Sequence, residues 1–364
     1  MKKVVFVIGV LSDGGAERVI SVLSKQLTKI GYKVDIVTIY GDKNDYLDDQ
    51  SINIKPVVHK SKNKLFRTLG IISEVRNFIK SSKPDLVISF VAIVNIYTIL
   101  SCLFLKTKLI ISERNDPYQN PENKYIRTLR DVLYKLCDGF VFQTPDARDY
   151  FPKRIQDKST VIPNPIVSDL PEWDIEKSEE VIISACRLAK QKNLPMMIDA
   201  FAKLKQEFPE YKLKIYGIGP LRGQLLSYIN KLGLKDDILL PGFSKDIHQE
   251  MAKSNLFVIS SNYEGISNSM LEALAIGMPV ISTDSPIGGA RMFIKSEENG
   301  MLIPVGDTEK LYQAMKMVIS DRNFAISLSK EARGIRKKLL PEVVVSSWNE
   351  YITSVCEESH GRLK

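Results

Sequence analysis

The chain has 364 residues, 44% hydrophobic and 26% charged, which excludes disordered and collagen-like classes and allows two domains with cores of their own. The formal net charge is +8, yet residues 1–165 hold 26 basic and 17 acidic side chains while the remainder hold 25 and 26. The surplus points to an anionic partner for the first half alone, nucleic acid or a membrane surface, or else to general solubility.

Val4–Val10 is a β-branched run followed by "LSDGGAERV", after which Val19, Val22, Leu23 and Leu27 recur at helical spacing up to Gly31. The first apolar run spans about seven residues, shorter than a signal-peptide core and better read as a buried strand. Val34–Tyr40, Leu86–Phe90, Leu109–Ser112 and Phe140–Gln143 read as further strands with helical segments between them. Phe90–Leu105, the longest apolar stretch, is interrupted by Asn95 and falls short of the roughly 20 residues of a spanning helix. Pro163–Ser178, with three prolines and little periodicity, is the expected interdomain connection. The pattern then restarts at Val181–Cys186, Lys212–Tyr216, Ile238–Leu240, Leu256–Ser260 and Val280–Thr283, and a terminal helix follows Pro341.

This alternation predicts an α/β protein with two doubly wound, Rossmann-like domains over 1–165 and 166–340, and a helix over 341–364. Ligands in such sheets bind outside the carboxyl ends of the strands, so the active site is expected between the domains. Cys102, Cys137, Cys186 and Cys356 form no CxxC pair, which argues against zinc and a disulfide framework and fits a reducing compartment. The three histidines, His59, His248 and His360, are not spaced as a ligand set, and no D-x-D occurs, so no metal site is expected.

Within "SSNYEGISNSMLEALAIGMPVIST", Glu264 and Glu272 are eight positions apart, with a helix starting near Ser267–Asn268. Successive amides at Ile266–Ser269 form an anion site, and a carboxylate one turn further in can accept hydrogen bonds from ribose or sugar hydroxyls. The plainer alternative is an acid favoured by the helix dipole plus a solvated glutamate. In "ACRLAKQKN", Arg187 ends a strand and Lys190 and Lys192 lie just beyond, placed to hold a diphosphate unless they are merely solvated. Gly217 and Gly219 in "IYGIGPLRGQL" allow close approach of the backbone to a ligand, as they would in any tight turn.

Together these segments resemble the retaining glycosyltransferases of family 4, which have the GT-B fold. The resemblance covers nearly the whole chain and is strongest over Val181–Thr308. There R-L-x-x-x-K-N, Y-E-G-x-S-N-x-x-L-E-A-x-A-x-G-x-P-V-I, the glycines at 288–289 and N-G-x-L-x-P-x-G-D at Asn299–Asp307 occur in the family's order. "VIPNPI" at Val161–Ile166 and "GGAERV" at Gly14–Val19 also look like this family. The resemblance implies that the first domain binds the acceptor, the second binds the nucleotide sugar, and the terminal helix returns to the first.

It also implies site roles. Arg187 and Lys192 would bind the donor diphosphate, and Glu264 would hold a hydroxyl of the donor sugar. Glu272 would take the ribose hydroxyls, while amides of Gly265, Ile266, Ser267, Asn268 and Ser269 would position sugar and phosphate. Phe243, beside Gly242, would border the base, and Gly217 and Gly219 belong to the same donor site. Gly14 and Gly15 would lie near the transferred sugar or acceptor. The implied chemistry is front-side displacement with retention, without a cofactor or catalytic metal, and with a UDP-linked sugar as donor.

Two departures stand out. Many members carry a histidine on the acceptor side where "SERNDP" offers Glu113, Arg114, Asn115 and Asp116, a segment shared with a polysaccharide-biosynthesis subgroup that has "GGAERV". Arg114, with Asn115 beside it, would contact an acceptor phosphate or the donor, and Asp116 would orient the attacking hydroxyl; alternatively the segment is a capping loop ahead of Pro117. Met292 stands where relatives often place a glutamate after the paired glycines.

The basic surplus concentrates in residues 55–83, with Lys60, Lys62, Lys64, Arg67 and Arg76 as candidate membrane contacts beside Leu65, Leu69, Ile72 and Ile79. "NKYIRTLRDVLYKLCD" repeats the design, setting Tyr125, Leu129, Leu133 and Leu136 beside Lys124, Arg127, Arg130 and Lys135. Basic amphipathic helices bind anionic lipid, although a helix packed on a sheet needs an apolar face too. No recognition motif or stacking platform accompanies the charge, which disfavours nucleic acid.

The sequence therefore reads as a cytoplasmic, peripheral inner-membrane transferase moving a hexose or N-acetylhexosamine to a lipid-linked glycan, in bacterial capsule, exopolysaccharide or lipopolysaccharide assembly. The rivals are a non-hydrolysing nucleotide-sugar epimerase and a catalytically silent membrane-bound scaffold. A dehydrogenase is excluded because "GVLSDGG" lacks G-x-G-x-x-G spacing.

Overall fold

Strands made of unbroken β-branched residues are stable only where both faces are covered, and Val4–Ile8, at most 1% exposed, meets that condition. The computed structural model describes residues 2–357 apart from 13, 43, 45, 48, 58 and 60, so the candidate contact Lys60 and His360 lie outside the described residues. The chain divides into two units, Met1–Pro165 with Pro341–Lys364, and Ile166–Leu340.

The strands of the first unit are β1 (Lys3–Ile8), β2 (Lys33–Thr38), β3 (Asn53–Pro56), β4 (Leu86–Phe90), β5 (Lys108–Ser112), β6 (Gly139–Phe142) and β7 (Ser159–Val161). Its helices are α1 (Gly15–Lys29), α2 (Lys64–Ser82), α3 (Ala92–Cys102), α4 (Lys124–Tyr134), α5 (Pro145–Asp149) and α6 (Lys153–Gln156). The second unit holds β8 (Glu179–Ala185), β9 (Lys212–Tyr216), β10 (Ile238–Gly242), β11 (Ser254–Ile259), β12 (Val280–Thr283) and β13 (Met301–Ile303). Between and after them come α7 (Leu194–Leu204), α8 (Arg222–Lys231), α9 (Ile247–Ala252), α10 (Asn268–Ile276), α11 (Thr308–Ser320), α12 (Arg322–Ala332) and α13 (Ile335–Lys338). The final helix, α14 (Pro341–Glu357), belongs to the first unit.

The sheets run β3-β2-β1-β4-β5-β6-β7 and β10-β9-β8-β11-β12-β13, and their paired strands are parallel throughout. The doubly wound architecture read from the sequence is borne out. Strand order reverses between β1 and β4 and between β8 and β11, the switch points where such sheets open a crevice at their carboxyl ends. The sequence reading omitted β3, β7 and β13, which are edge strands of three or four residues without an apolar run to announce them.

Helix α3 shows why Phe90–Leu105 is so apolar without spanning a membrane. It lies between the sheet and helices α2 and α4, so it is buried nearly all round. Arg76 of α2 donates from Nη1 to the carbonyls of Ser101 (2.9 Å) and Leu103 (2.6 Å), closing the carboxyl end of α3. That use removes Arg76 from the proposed membrane set. Only Ile71, Val75 and Ile79 of α2 are buried, whereas Leu65, Phe66 and Leu69 are exposed, so the apolar face read from the sequence is divided.

The terminal helix packs on the first unit, as expected. Trp348 is fully buried and stacks on Phe90 with centroids 5.7 Å apart. Tyr32 Oη donates to Asn349 Oδ1 (2.7 Å), and Phe140 N donates to Tyr351 Oη (2.7 Å). The segment read as the interdomain connection is largely packed. Ile166, Leu170 and Trp173 are buried, and Trp173 Nε1 donates to the Ser254 carbonyl (2.8 Å) within the second unit.

Trp348→Ala is expected to destabilise the first unit by about 3–5 kcal/mol in urea unfolding, the cost of a large core aromatic, against about 0.5 kcal/mol or less for the exposed Leu65→Ala.

Candidate functional site

In the second unit, two loops at strand ends are fastened together by side chains. The turn after β8 carries Lys192, whose ammonium donates to Glu264 Oε2 in the loop after β11. Ser261 Oγ donates to the same oxygen (3.1 Å), and Gln191 Nε2 reaches Glu264 Oε1 (3.3 Å) and the Tyr263 carbonyl (2.9 Å). Asn193 adopts the left-handed conformation at φ 44° that ends this turn, and its Nδ2 donates to Asn262 Oδ1 (3.0 Å). Asparagine suits both tasks, tolerating positive φ while supplying a short amide. Burial works against the charge on Lys192, but Glu264 more than offsets it and holds the ammonium above its ordinary pKa. Arg187, at the start of the same turn after β8, is exposed.

Helix α10 begins against this pair. Ser267 caps it by accepting from Met270 N (3.4 Å), and Ser269 Oγ donates to the Ala185 carbonyl at the end of β8 (2.7 Å). The first-turn amides of α10 are thereby anchored to the strand that leads to Arg187. Glu272 is only 3% exposed and lies 2.9 Å from His248 Nε2, so it is not the solvated glutamate of the plainer alternative. His248 on α9 was not singled out from the sequence, because nothing local distinguishes it.

The glycines have identifiable tasks. A Cβ on Gly217, at φ 128°, would sit 1.9 Å from the Cys186 carbonyl oxygen, and one on Gly219 would sit 2.4 Å from that of Leu188. Both let the β9 loop lie against the turn that holds Arg187 and Lys192. A Cβ on Gly289 would approach the Gly265 oxygen to 1.7 Å, so the paired glycines fit against the amide run Gly265–Ser269. Phe243, after Gly242, is exposed, whereas Ile266 is buried.

The carboxyl edge of the first sheet gathers Phe90, Arg114, Gln143 and Asn164 from the ends of β4 to β7. Asn164 Oδ1 accepts from Arg114 Nη1 (3.0 Å) and from Gln143 Nε2 (2.8 Å). The Arg114 guanidinium carbon sits 4.4 Å from the centroid of Phe90 and 5.6 Å from that of Trp348. Its Nε and Nη2 are buried with no acceptor among the described residues. Burial pushes the Arg114 pKa down to about 9 despite the neighbouring Glu113, leaving a cation with much to gain from an anion. Val91, which follows Phe90 and leads into α3, holds φ 76°, a costly conformation for a β-branched side chain. Trp348 was not foreseen as part of this edge; its signal lay in a helix 234 positions beyond Arg114.

Asp116 is fully buried; its Oδ1 accepts from Tyr118 N (2.8 Å), the contact the capping alternative expects, while its Oδ2 has no partner among the described residues. Asn115 Oδ1 accepts from Asp116 N in the same turn (2.8 Å). Arg130 is not a headgroup contact. Wholly buried, it donates to the carbonyls of Asn120 (2.7 Å) and Pro117 (3.1 Å) and to Asp131 Oδ1, with its guanidinium 5.1 Å from the Tyr150 ring. Tyr134 Oη donates to the buried Glu113 (2.8 Å), whose pKa burial raises. Lys62, Lys64 and Arg67 are exposed, and Gly14 and Gly15 lead into α1 beyond β1.

Residues 168–335 match the family "Glycosyl transferases group 1", and residues 13–170 match "Glycosyltransferase Family 4". Among curated proteins, the chain is 29% identical over 98% of its length to the GalNAc-alpha-(1->4)-GalNAc-alpha-(1->3)-diNAcBac-PP-undecaprenol alpha-1,4-N-acetyl-D-galactosaminyltransferase of Campylobacter jejuni, covering 99% of that protein. It is 27% identical, over 95% of this chain and 98% of the relative, to the N-acetylgalactosamine-N,N'-diacetylbacillosaminyl-diphospho-undecaprenol 4-alpha-N-acetylgalactosaminyltransferase of the same organism. Sucrose-phosphate synthase of Thermosynechococcus elongatus superposes with a TM-score of 0.85 at 16% identity, over 98% of this chain and 99% of that one. HepE of Anabaena, in complex with UDP and glucose, gives 0.85 at 18% identity, over 97% of this chain and 100% of that one. These superpositions show the GT-B fold.

Removing the cation from the fastened loops leaves Glu264 short of its partner, so Lys192→Ala should cost about 2–3 kcal/mol in urea unfolding. The Lys192→Met/Glu264→Leu double variant should recover most of that loss.

Proposed function

The chain belongs to the retaining GT-B glycosyltransferases of family 4, and on that premise we propose that it transfers an N-acetylhexosamine from a UDP-linked donor to a hydroxyl of an undecaprenyl-diphosphate-linked glycan in surface-polysaccharide assembly. The observation that carries the donor half is the pinning of Lys192, Glu264 and the start of α10 into one constellation beside Arg187. The choice of sugar and lipid carrier is supported by the two Campylobacter relatives, which act on such substrates.

In this reading the second unit is the donor-binding domain. Arg187 and Lys192 face the diphosphate, and the amides of Gly265 to Ser269 add the positive end of α10. The charge that develops on the departing UDP is met by groups already fixed in place, so little reorganisation accompanies bond breaking. Glu264 accepts from a donor-sugar hydroxyl while its other contacts hold it still. Glu272, oriented by His248, accepts from the ribose hydroxyls, and Phe243 borders the base. Gly217 and Gly219 serve the donor by letting their loop support the Arg187–Lys192 turn.

The first unit is the acceptor-binding domain. The unpaired edge of Arg114 takes an acceptor phosphate, and Phe90 and Trp348 hold its plane. Gly14 and Gly15, at the start of α1, serve the acceptor side in the role the family resemblance implies. No helix among the described residues is long and apolar enough to cross a membrane. Attachment is instead peripheral, at the inner face of the cell membrane. Leu65, Phe66 and Leu69 of α2 and Tyr125, Leu129 and Val132 of α4 are exposed on the two helices that flank α3, with Lys62, Lys64 and Arg67 close by.

A panel of UDP- and GDP-sugars read by thermal shift tests the donor: UDP-N-acetylhexosamines should raise the melting temperature most, and a response to GDP-sugars alone would overturn the assignment. Glu272→Ala should weaken UDP binding by about tenfold, and unchanged affinity would remove its ribose role. Lys192→Ala should slow transfer by about a hundredfold or more with a smaller effect on UDP affinity. Arg114→Lys should raise KM for the lipid-linked acceptor and leave KM for the donor near its starting value.

A further inference from the structure

At the amino ends of β1, β4 and β5, opposite the edge that carries Arg114, the first unit has a cavity of about 500 Å³. Strands of five or six residues set it about 17–20 Å from the carboxyl edge, so it belongs to neither half of the proposed transfer site. Five lysines line it: Lys2, Lys80, Lys83, Lys106 and Lys108. Lys108 is 3.8 Å from Asp138, and Asp85, the one acid lining the cavity among the described residues, accepts from the Lys3 amide (2.7 Å). Lys2, Lys80, Lys83 and Lys106 have no acidic partner among the described residues. The position of Lys80 and Lys83 at the carboxyl end of α2 suits the helix dipole, but that argument does not reach Lys2 or Lys106. Four like charges around one concavity repel each other, and an anion among them would relieve the repulsion.

The lip of the cavity indicates which anion. Phe104, next to lining residues Leu105 and Lys106, is 96% exposed and sits at φ 62° in the turn from α3 to β5. An aromatic ring held out in water by a strained turn gains nothing from a soluble phosphate. At a bilayer it buries its area while the neighbouring ammonium groups stay at headgroup level.

We propose that this cavity is a headgroup site for an anionic phospholipid, whose phosphate enters among Lys2, Lys80, Lys83 and Lys106 while Phe104 enters the acyl layer. The site extends the membrane reading above and shares no residue with α4 or with Leu65, Phe66 and Leu69 of α2.

The test is co-sedimentation of the full chain with vesicles of phosphatidylglycerol and phosphatidylcholine, compared with phosphatidylcholine alone. The triple variant Lys80→Gln/Lys83→Gln/Lys106→Gln should lose about a hundredfold in affinity for the anionic vesicles, at roughly one kcal/mol per lysine. Phe104→Ser should lose about tenfold. A control triple in the second unit, Lys231→Gln/Lys235→Gln/Lys253→Gln, changes net charge equally and should retain binding, and all variants should keep the wild-type thermal shift with UDP. Equal losses in the two triples would reduce the effect to net charge and overturn the site. Wild-type vesicle binding in the first triple would overturn it while leaving the α2–α4 reading standing. Absence of vesicle binding in the wild-type chain would overturn both, with the transferase assignment untouched. Protection of the same lysines by sn-glycerol 3-phosphate, with no effect of Phe104→Ser on vesicles, would make the occupant a soluble phosphate and overturn the lipid assignment.

Discussion

The contact between Lys192 and Glu264 joins two loops that leave different strands, and the geometry of the second unit's site follows from it. A lysine removed from water needs a counter-charge, and a carboxylate in the same position needs a cation. Each therefore fixes the other, and with them the turn that carries Arg187 and the loop that leads into α10. Ser261, Gln191 and Asn193 add hydrogen bonds on either side of the pair. Glycines at 217, 219 and 289 remove the side chains that would hold the surrounding backbone apart. Loops cross-linked in this way need no ligand to hold them together, and in the proposed transfer that favours the departing diphosphate over the bound donor.

The first unit spends its charges differently. Arg130 sits at the centre of a ring of carbonyls, acids and aromatic rings, and by gathering the Pro117 and Asn120 carbonyls it shapes the loop that follows Arg114. One arginine is fully satisfied and holds the loop. The other, sixteen positions earlier, keeps two donor nitrogens with no acceptor among the described residues beside Phe90 and Trp348. Buried donors without acceptors cost stability, and the acceptor phosphate proposed above would satisfy them.

Much of this was legible in the sequence. Uninterrupted apolar runs rich in β-branched residues mark buried parallel strands, and "RLAKQKN" and "YEGISNSMLEALAIG" carry the family resemblance that singled out the two loops joined by Lys192 and Glu264. Burial of individual charges was not legible. Arg76, Arg130 and Asp116 look like surface residues in a one-dimensional reading, since helical spacing cannot tell a charge facing solvent from one facing a neighbouring helix terminus or loop carbonyl. Edge strands β3, β7 and β13 escaped for a related reason: strands of three or four residues are defined by the neighbour they pair with. His248 and Trp348 acquire their meaning from partners 24 and 258 positions away, Glu272 and Phe90, and no local pattern encodes such a distance.

The assignment of α14 to the first unit orders events during synthesis. Residues 2–165 leave the ribosome before the second unit, and the Phe90 face they build stays uncovered while that whole unit is made. Only when residues 341–357 emerge can Trp348 close over Phe90 and Arg114. The unit begun first is therefore finished last, and a nascent chain carries an open aromatic surface, exposed to chaperones and to other chains, throughout the synthesis of the second unit.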